Sequence, residues 1–117
     1  MTPAAAAAEA ERLTGQVYDR AVLLRWLSEL DGILALDLYR VEPPEPYTTE
    51  DQAERALLIP FPWDGGVYVH HLEAMTYFSN GEYDRYANAR QLSEHALAEF
   101  RRYTRRNAAY PAPQGKG

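Results

Sequence analysis

Two adjacent histidines and two nearby carboxylates are the residues of this chain best suited to metal chemistry. His70 and Glu73 lie three residues apart, so a helix would place both on one face, with His71 beside them and Asp64 one or two turns earlier. A di-iron bundle needs paired Glu-x-x-His motifs and further carboxylates, and a zinc protease needs His-Glu-x-x-His. Here the order is reversed and the motif occurs once. We therefore predict no metal and no other cofactor, and we keep a small metal-binding helical bundle as an alternative.

Nucleophilic and phosphate-binding motifs receive no better support. Ser28, Ser79 and Ser93 lack the Gly-x-Ser-x-Gly context of an activated serine. Gly65-Gly66 has no following Lys-Ser/Thr pair, as a phosphate-binding loop would require, and the chain contains no cysteine. The sequence predicts a protein that is not an enzyme.

Aromatic residues offer a different kind of function. The chain has nine tyrosines among 117 residues, more than so small a core can enclose, and four cluster around Asn80-Gly81: Tyr68, Tyr77, Tyr83 and Tyr86. Tyrosine is favoured at protein interfaces because it combines a rigid apolar ring with a polar tip. Each of these side chains is thus a candidate for either the core or an interface.

The charge is unevenly distributed. The net charge is −5, yet the segment from Arg101 to the end carries five basic residues and no acidic ones. The first 100 residues therefore hold seven basic and 17 acidic residues, a net −10. An acidic body disfavours general binding to nucleic acid.

Three helices must position these side chains, at about 20–39, 65–79 and 82–106. Asp19 and Asp64 are the expected N-caps of the first two, and Asn80-Gly81 separates the second from the third. On the first helix, Glu29, Asp31 and Asp37 should lie largely away from the apolar stripe. The side chains expected to face inward are Leu23, Trp26, Leu27, Leu30, Leu34 and Leu38, then Val67, Leu72, Met75 and Phe78, then Tyr86, Ala89, Leu92, Ala96, Leu97, Phe100 and Tyr103.

The remaining segments are less regular. Residues 2–13 are rich in alanine and should form a short or frayed helix, because Leu13 is their only large apolar side chain. Prolines 43, 44 and 46 exclude helix from much of a long loop at 41–63. Gly32 indicates a close helix crossing or an exposed position. The predicted fold is an all-α small helical bundle of three main helices plus a short N-terminal helix, with a long proline-rich loop.

Four segments resemble the small head–tail connector, or adaptor, proteins of long-tailed bacteriophages and prophages. Two of them lie at 18–32 and 77–89, and their most distinctive parts are Trp-Leu-Ser-Glu-Leu-Asp-Gly at 26–32 and Asn-Gly-Glu-Tyr-Asp-Arg-Tyr at 80–86. Leu-Ile-Pro-Phe-Pro-Trp-Asp at 58–64 and Val-Tyr-Val-His-His-Leu-Glu-Ala-Met at 67–75 complete the set. With the spacing between them they cover residues 18–106, about three quarters of the chain. Neither distinctive segment is a chemical signature, so the resemblance is cumulative.

The resemblance implies a structural virion protein that forms a ring, dodecameric on the portal, after genome packaging. Such a ring extends the DNA channel, through which DNA passes without specific binding, and docks a downstream stopper or tail-completion protein. It implies a location at the virion neck, with host cytoplasm as the place of assembly and no membrane partner. Residues 1–106 would form the connector domain, whereas the flexible basic tail predicted at residues 107–117 rests on composition and not on the resemblance.

Site residues follow from combining the resemblance with the residue types. Trp63, Tyr83 and Tyr86 are the predicted subunit interface, because they are surplus aromatics beside an irregular loop. The predicted portal contact comprises Arg101, Arg102, Arg105, Arg106 and Tyr110, which could pair with carboxylates. A helical protein-interaction adaptor of cellular origin remains a second alternative to the connector.

Overall fold

Helices make up the architecture of residues 1–107, the part of the chain that the computed structural model describes. In chain order they are α1 (Pro3–Thr14), α2 (Arg20–Leu34), α3 (Glu50–Ala53), α4 (His70–Ser79) and α5 (Tyr83–Arg106). A π-helical turn at Ala35–Tyr39 continues α2, and another at Gly65–Val69 leads into α4. These residues contain no strand, so the predicted all-α class is confirmed.

The helices begin and end where local chemistry favours it. The Asp19 side chain accepts a hydrogen bond from the Ala21 amide at 3.0 Å, and Asp64 accepts one from the Gly65 amide at 2.8 Å, so both predicted caps are confirmed. Gly81 has a φ of 73°, which glycine adopts without steric cost. This conformation lets the Glu82 amide donate to the Tyr77 carbonyl at 2.9 Å and closes the end of α4.

The alanine-rich first helix is more firmly packed than its sequence suggests. Ala6, Ala7 and Ala10 are buried, and α1 lies against α2 and α4. The N-terminal helix predicted at residues 2–13 is thus present at Pro3–Thr14, but the expectation that it has little to bury was wrong. Alanine buries little surface per residue, but its small side chain permits a close helix approach, and the whole face then becomes core.

The apolar stripe of α2 is confirmed, with Leu30 only partly buried. α2 packs on α1 and α4 rather than along α5. Trp26 is buried as expected. Its ring centroid is 5.7 Å from that of Tyr18, and its backbone is hydrogen-bonded to His71 of α4, so these neighbours lie outside α5.

Helices α4 and α5 run antiparallel across the Asn80-Gly81 turn. Contacts join the end of α4 to the start of α5, the turn before α4 to the middle of α5, and the preceding loop to the end of α5. One of these contacts is a hydrogen bond of 2.8 Å from the Ser93 hydroxyl to the Val67 carbonyl. Along α5, Ala89 and Phe100 are buried, whereas the predicted inward residues Leu92 and Tyr103 are exposed.

Gly66 marks the closest approach between these two helical segments. A Cβ atom at Gly66 would lie 2.8 Å from the Cβ of Ala96, closer than two carbon atoms can pack. At Gly32 the nearest atom to a Cβ would be the Pro43 Cβ at 4.0 Å, an ordinary contact with the loop. The close crossing thus lies at Gly66 and not at Gly32.

Substituting Gly66 by alanine should destabilise the protein by about 1–3 kcal/mol, because the added methyl group forces α5 away from the turn before α4. Gly65→Ala is the matched control: nothing lies within 4 Å of the added Cβ, and alanine is the better helix former by about 1 kcal/mol. Chemical denaturation of both variants measures the difference. Equal stabilities would show that the crossing is looser than described.

The segment between α2 and α4 is tied to the helices by hydrogen bonds. The Tyr39 hydroxyl donates to the Leu58 carbonyl at 3.0 Å, and the Tyr47 amide donates to the Ser28 hydroxyl at 2.8 Å. The Leu57 amide donates to the Met1 carbonyl at 2.9 Å. These bonds hold Leu57, Leu58 and Ile59 in the core, where all three are buried.

Candidate functional site

An exposed aromatic group lies at the corner where α4 turns into α5. The ring centroid of Phe78 is 5.6 Å from that of Tyr83 and 5.1 Å from that of Tyr86. Phe78 is 53% exposed and Tyr83 61% exposed, so the expectation that Phe78 faces the core is wrong. The rings pack on one another near the helix ends and remain largely open to solvent. We call this group the aromatic corner.

The predicted interface residue Trp63 lies at the other end of α5. Its ring centroid is 5.1 Å from that of Phe100 and 4.7 Å from that of Tyr103. Phe100 is buried and Tyr103 is 38% exposed, so the indole bridges the core and the surface. Trp63 is therefore fixed against α5 and does not extend freely from the loop.

Beside this stack lies a groove of about 540 Å³, which we call the basic groove. Its lining comprises Trp63, Glu99, Arg102, Tyr103, Arg105 and Arg106. Within residues 1–107, the four arginines at 101, 102, 105 and 106 make no ion pair. The helix C-terminus favours these cations through its dipole, yet the charges remain available to a partner. Tyr110, the fifth residue of the predicted portal contact, lies outside the described residues, as does most of the predicted tail at 107–117.

The aromatic corner and the basic groove are far apart on one helix. Tyr83 and Tyr103 are 20 residues apart along α5, which corresponds to about 30 Å at 1.5 Å per residue. Trp63, Tyr83 and Tyr86 therefore do not form one patch. They belong to two surfaces held at a fixed separation by a single helix.

The histidines and their neighbours bind different partners. His70 Nδ1 lies 2.5 Å from Glu73 Oε1, whereas His71 is hydrogen-bonded to the Trp26 backbone. Burial lowers the pKa of His71, and its bond to that backbone opposes the shift. The Asp64 carboxylate accepts a hydrogen bond from the Met1 amino group at 3.0 Å. Among residues 1–107, no three potential metal-ligating side chains come together.

Two of the three serines considered as nucleophiles donate hydrogen bonds to backbone carbonyls. The Ser28 hydroxyl donates to the Leu24 carbonyl at 2.9 Å, and the Ser93 hydroxyl bonds to Val67. Ser79 is exposed at the end of α4.

No helix within residues 1–107 has both the length and the apolar character needed to cross a bilayer.

A buried carboxylate, expected on the outer face of α2, is the main polar feature of the core. Asp31 is fully buried, not directed away from the stripe of α2. Its Oδ1 accepts a hydrogen bond from the Tyr68 hydroxyl at 2.5 Å, and its Oδ2 accepts from the Tyr47 hydroxyl at 2.6 Å and the Leu58 amide at 3.2 Å. The Tyr68 hydroxyl also accepts from the Ile59 amide at 2.8 Å. One side chain thus joins α2, the loop and the turn before α4.

The sequence spacing of Asp31 from the apolar residues of α2 indicates this buried position. Asp31 lies four residues after Leu27 and three before Leu34, which is the register of the buried face. Burial raises the pKa of Asp31, and the bonds from Tyr47, Tyr68 and Leu58 oppose that shift. Burial and the neighbouring Asp31 carboxylate also raise the pKa of Tyr68, which remains a hydrogen-bond donor.

Comparisons with known proteins give no independent identification, because no family model, no curated protein and no solved structure matches this chain.

Proposed function

We propose that the chain is a structural virion protein, a head–tail connector whose copies form a ring beneath the portal. The ring extends the DNA channel and docks the next tail-side protein. The proposal rests on one observation: two surfaces suited to binding other proteins, the aromatic corner and the basic groove, lie at opposite ends of α5. A ring requires such a heterologous arrangement, since one face of a subunit must meet a different face of its neighbour.

The chemistry of the two surfaces suits protein contact. Tyrosine, tryptophan and arginine are the residues that most often dominate binding energy at interfaces. The aromatic corner exposes two rings, and the basic groove combines the Trp63–Tyr103 stack with arginines. Trp63, Tyr83 and Tyr86 serve as subunit contacts in this proposal.

The acidic body of the protein fits a channel better than a DNA-binding surface. The first 100 residues carry a net −10, which repels phosphates instead of gripping a genome in transit. The arginines at the end of α5 suit carboxylates as partners, and Tyr110 is the proposed anchor beside them. In the proposal these carboxylates come from the portal rim or from a neighbouring subunit.

Ring formation on a portal tests the proposal. The double variant Trp63→Ala, Tyr83→Ala removes one anchor from each surface and should lower the yield of rings at least about tenfold, since an interface anchor contributes on the order of 2 kcal/mol or more. The assay is co-expression with the portal protein of the same virus, followed by electron microscopy of the purified complexes.

The matched control is Val17→Ala, Ile33→Ala, which trims two exposed apolar side chains outside both surfaces. This variant should assemble like the wild type, and circular dichroism should show that both variants are folded. Wild-type ring yield from the aromatic variant would refute the assigned surfaces, and absence of rings from the unaltered protein would refute the proposed function.

A further inference from the structure

The basic groove is shaped for a segment that carries carboxylates and an apolar contact. Arg102, Arg105 and Arg106 supply guanidinium groups, and the Trp63–Tyr103 stack supplies an apolar wall. Among the described residues of its lining, Glu99 is the only acidic one, and its carboxylate lies 3.1 Å from His95 Nε2. Guanidinium groups recognise carboxylates with two parallel hydrogen bonds, so the groove selects for an acidic partner.

The chain itself carries a matching segment. Residues 42–54, which we call the acidic loop, contain five acidic residues and no basic ones: Glu42, Glu45, Glu50, Asp51 and Glu54. All five are exposed, and none makes an ion pair within residues 1–107.

The acidic loop is preorganised. Thr49 and Gln52 form a capping box around α3, and the Gln52 side chain also donates to Glu45 at 3.0 Å. Within the same loop, the buried Tyr47 side chain donates a hydrogen bond to Asp31 and so anchors the loop to α2. A segment fixed in this way loses less conformational entropy on binding than a free one.

We infer that the basic groove of one copy receives the acidic loop of a second copy, in a head-to-tail contact. Within residues 1–107 of one copy no ion pair joins the two segments, although each carries a concentration of a single charge sign. A second copy would supply each segment with charges of the opposite sign. The inference rests on the proposed ring, because it names the neighbour's segment that fills one of the two surfaces, and it gives the arginines a partner in the ring instead of the portal.

Charge reversal tests the contact with the protein alone. At about 50 mM salt, where exposed charges are weakly screened, the wild type should associate in a concentration-dependent way in sedimentation equilibrium. Arg102→Glu, Arg105→Glu and, separately, Glu50→Arg, Glu54→Arg should each weaken association at least about tenfold, since like charges then face each other. An equimolar mixture of the two variants should associate again, because each reversed segment meets its complement.

Arg25→Glu, Arg40→Glu controls for net charge. Both arginines are exposed, lie outside the groove and make no ion pair within residues 1–107. This variant has the same change in net charge as the groove variant and should associate within about twofold of the wild type, the range expected of rim charges that only alter long-range steering.

Cross-linking establishes the direction of the contact. Because the chain has no cysteine, Arg106→Cys and Asp51→Cys each introduce a single thiol. A mixture of the two should form the mixed disulfide dimer under mild oxidation, whereas neither variant alone should form disulfide-linked dimers efficiently. Efficient dimers of Arg106→Cys alone would indicate an isologous contact and overturn the inference, as would a wild type that stays monomeric and yields no mixed disulfide.

The same variants separate this inference from the proposed function. If the groove variant keeps its self-association but loses portal binding, the arginines contact the portal, and the inference fails while the connector proposal stands. If charge reversal and mixing behave as expected but no ring forms on a portal, the contact between copies stands and the connector proposal fails.

Discussion

Replacing Asp31 by alanine should lower the free energy of unfolding by at least about 3 kcal/mol, because three buried donors would lose their acceptor at once. The hydroxyls of Tyr47 and Tyr68 and the amide of Leu58 all donate to this carboxylate. Each buried group left without a partner costs about 1–3 kcal/mol, and the truncated side chain also leaves a cavity. Urea denaturation followed by circular dichroism measures the loss.

Asp37→Ala is the matched control, because Asp37 is an exposed aspartate in the π-helical turn that continues α2. Its substitution should change stability by no more than about 0.5 kcal/mol. A cost below about 1 kcal/mol for Asp31→Ala would contradict the description of Asp31 as the acceptor that joins α2 to the loop.

Asp31→Asn adds a pH test. Burial raises the pKa of Asp31 in the folded protein, so the folded state binds this proton more tightly than the unfolded state does. Its contribution to stability is therefore fully present below the ordinary pKa of an aspartate and decreases as the pH rises through the folded-state pKa. The stability advantage of the wild type over Asp31→Asn should thus be greater near pH 4 than near pH 7, and an advantage that grows toward pH 7 would show that the hydrogen bonds outweigh burial.

The regular helices could be predicted because each carries a local signal. The stripe of α2 repeats at three and four residues, Asp19 and Asp64 begin helical segments, and Gly81 ends one. Such signals depend only on neighbours along the chain. When the π-helical turns at Ala35–Tyr39 and Gly65–Val69 are counted with α2 and α4, the bounds of the three main helices agree with the sequence-based ranges to within one residue.

The features that were missed depend on partners distant in the chain. Asp31 was assigned to the surface because a charged residue is rarely buried alone, and its donors Tyr47 and Tyr68 come from other segments. The burial of α1 likewise depends on how closely α2 and α4 approach its alanines. Phe78 was assigned to the core by periodicity, yet the chain turns before another element covers it.

The candidate site was predictable in composition but not in arrangement. The surplus of aromatic residues and the run of arginines were visible in the sequence, and the members that form the two surfaces lie on α5, at the end of α4 or, for Trp63, in the loop that packs against α5. Their division into two surfaces at opposite ends of the helix was not visible, because Trp63 reaches the end of α5 only through tertiary packing.

Substituting Trp26 by alanine should cost about 3–5 kcal/mol, the range for removing a large aromatic side chain from a core. The indole is buried, packs near Tyr18, and lies on the face of α2 that meets α1 and α4. Trp26→Phe should cost markedly less, because it keeps an aromatic ring in most of the same volume. Differential scanning calorimetry of the wild type and the two variants would rank their stabilities. A loss of stability below about 1 kcal/mol for Trp26→Ala would contradict the burial of the indole.

A double-mutant cycle with Tyr18→Ala tests which neighbour the indole has. If the two rings contact each other as their 5.7 Å centroid distance indicates, the cycle should give a coupling of about 0.5–1.5 kcal/mol. Tyr18 also donates a hydrogen bond to Asn80 at 3.1 Å, so Tyr18 links Trp26 to the turn that separates α4 from α5. That turn adjoins the aromatic corner. A coupling near zero would show that Trp26 and Tyr18 do not stabilise each other. Trp26 would then stabilise the protein only through the packing of α2 on α1 and α4.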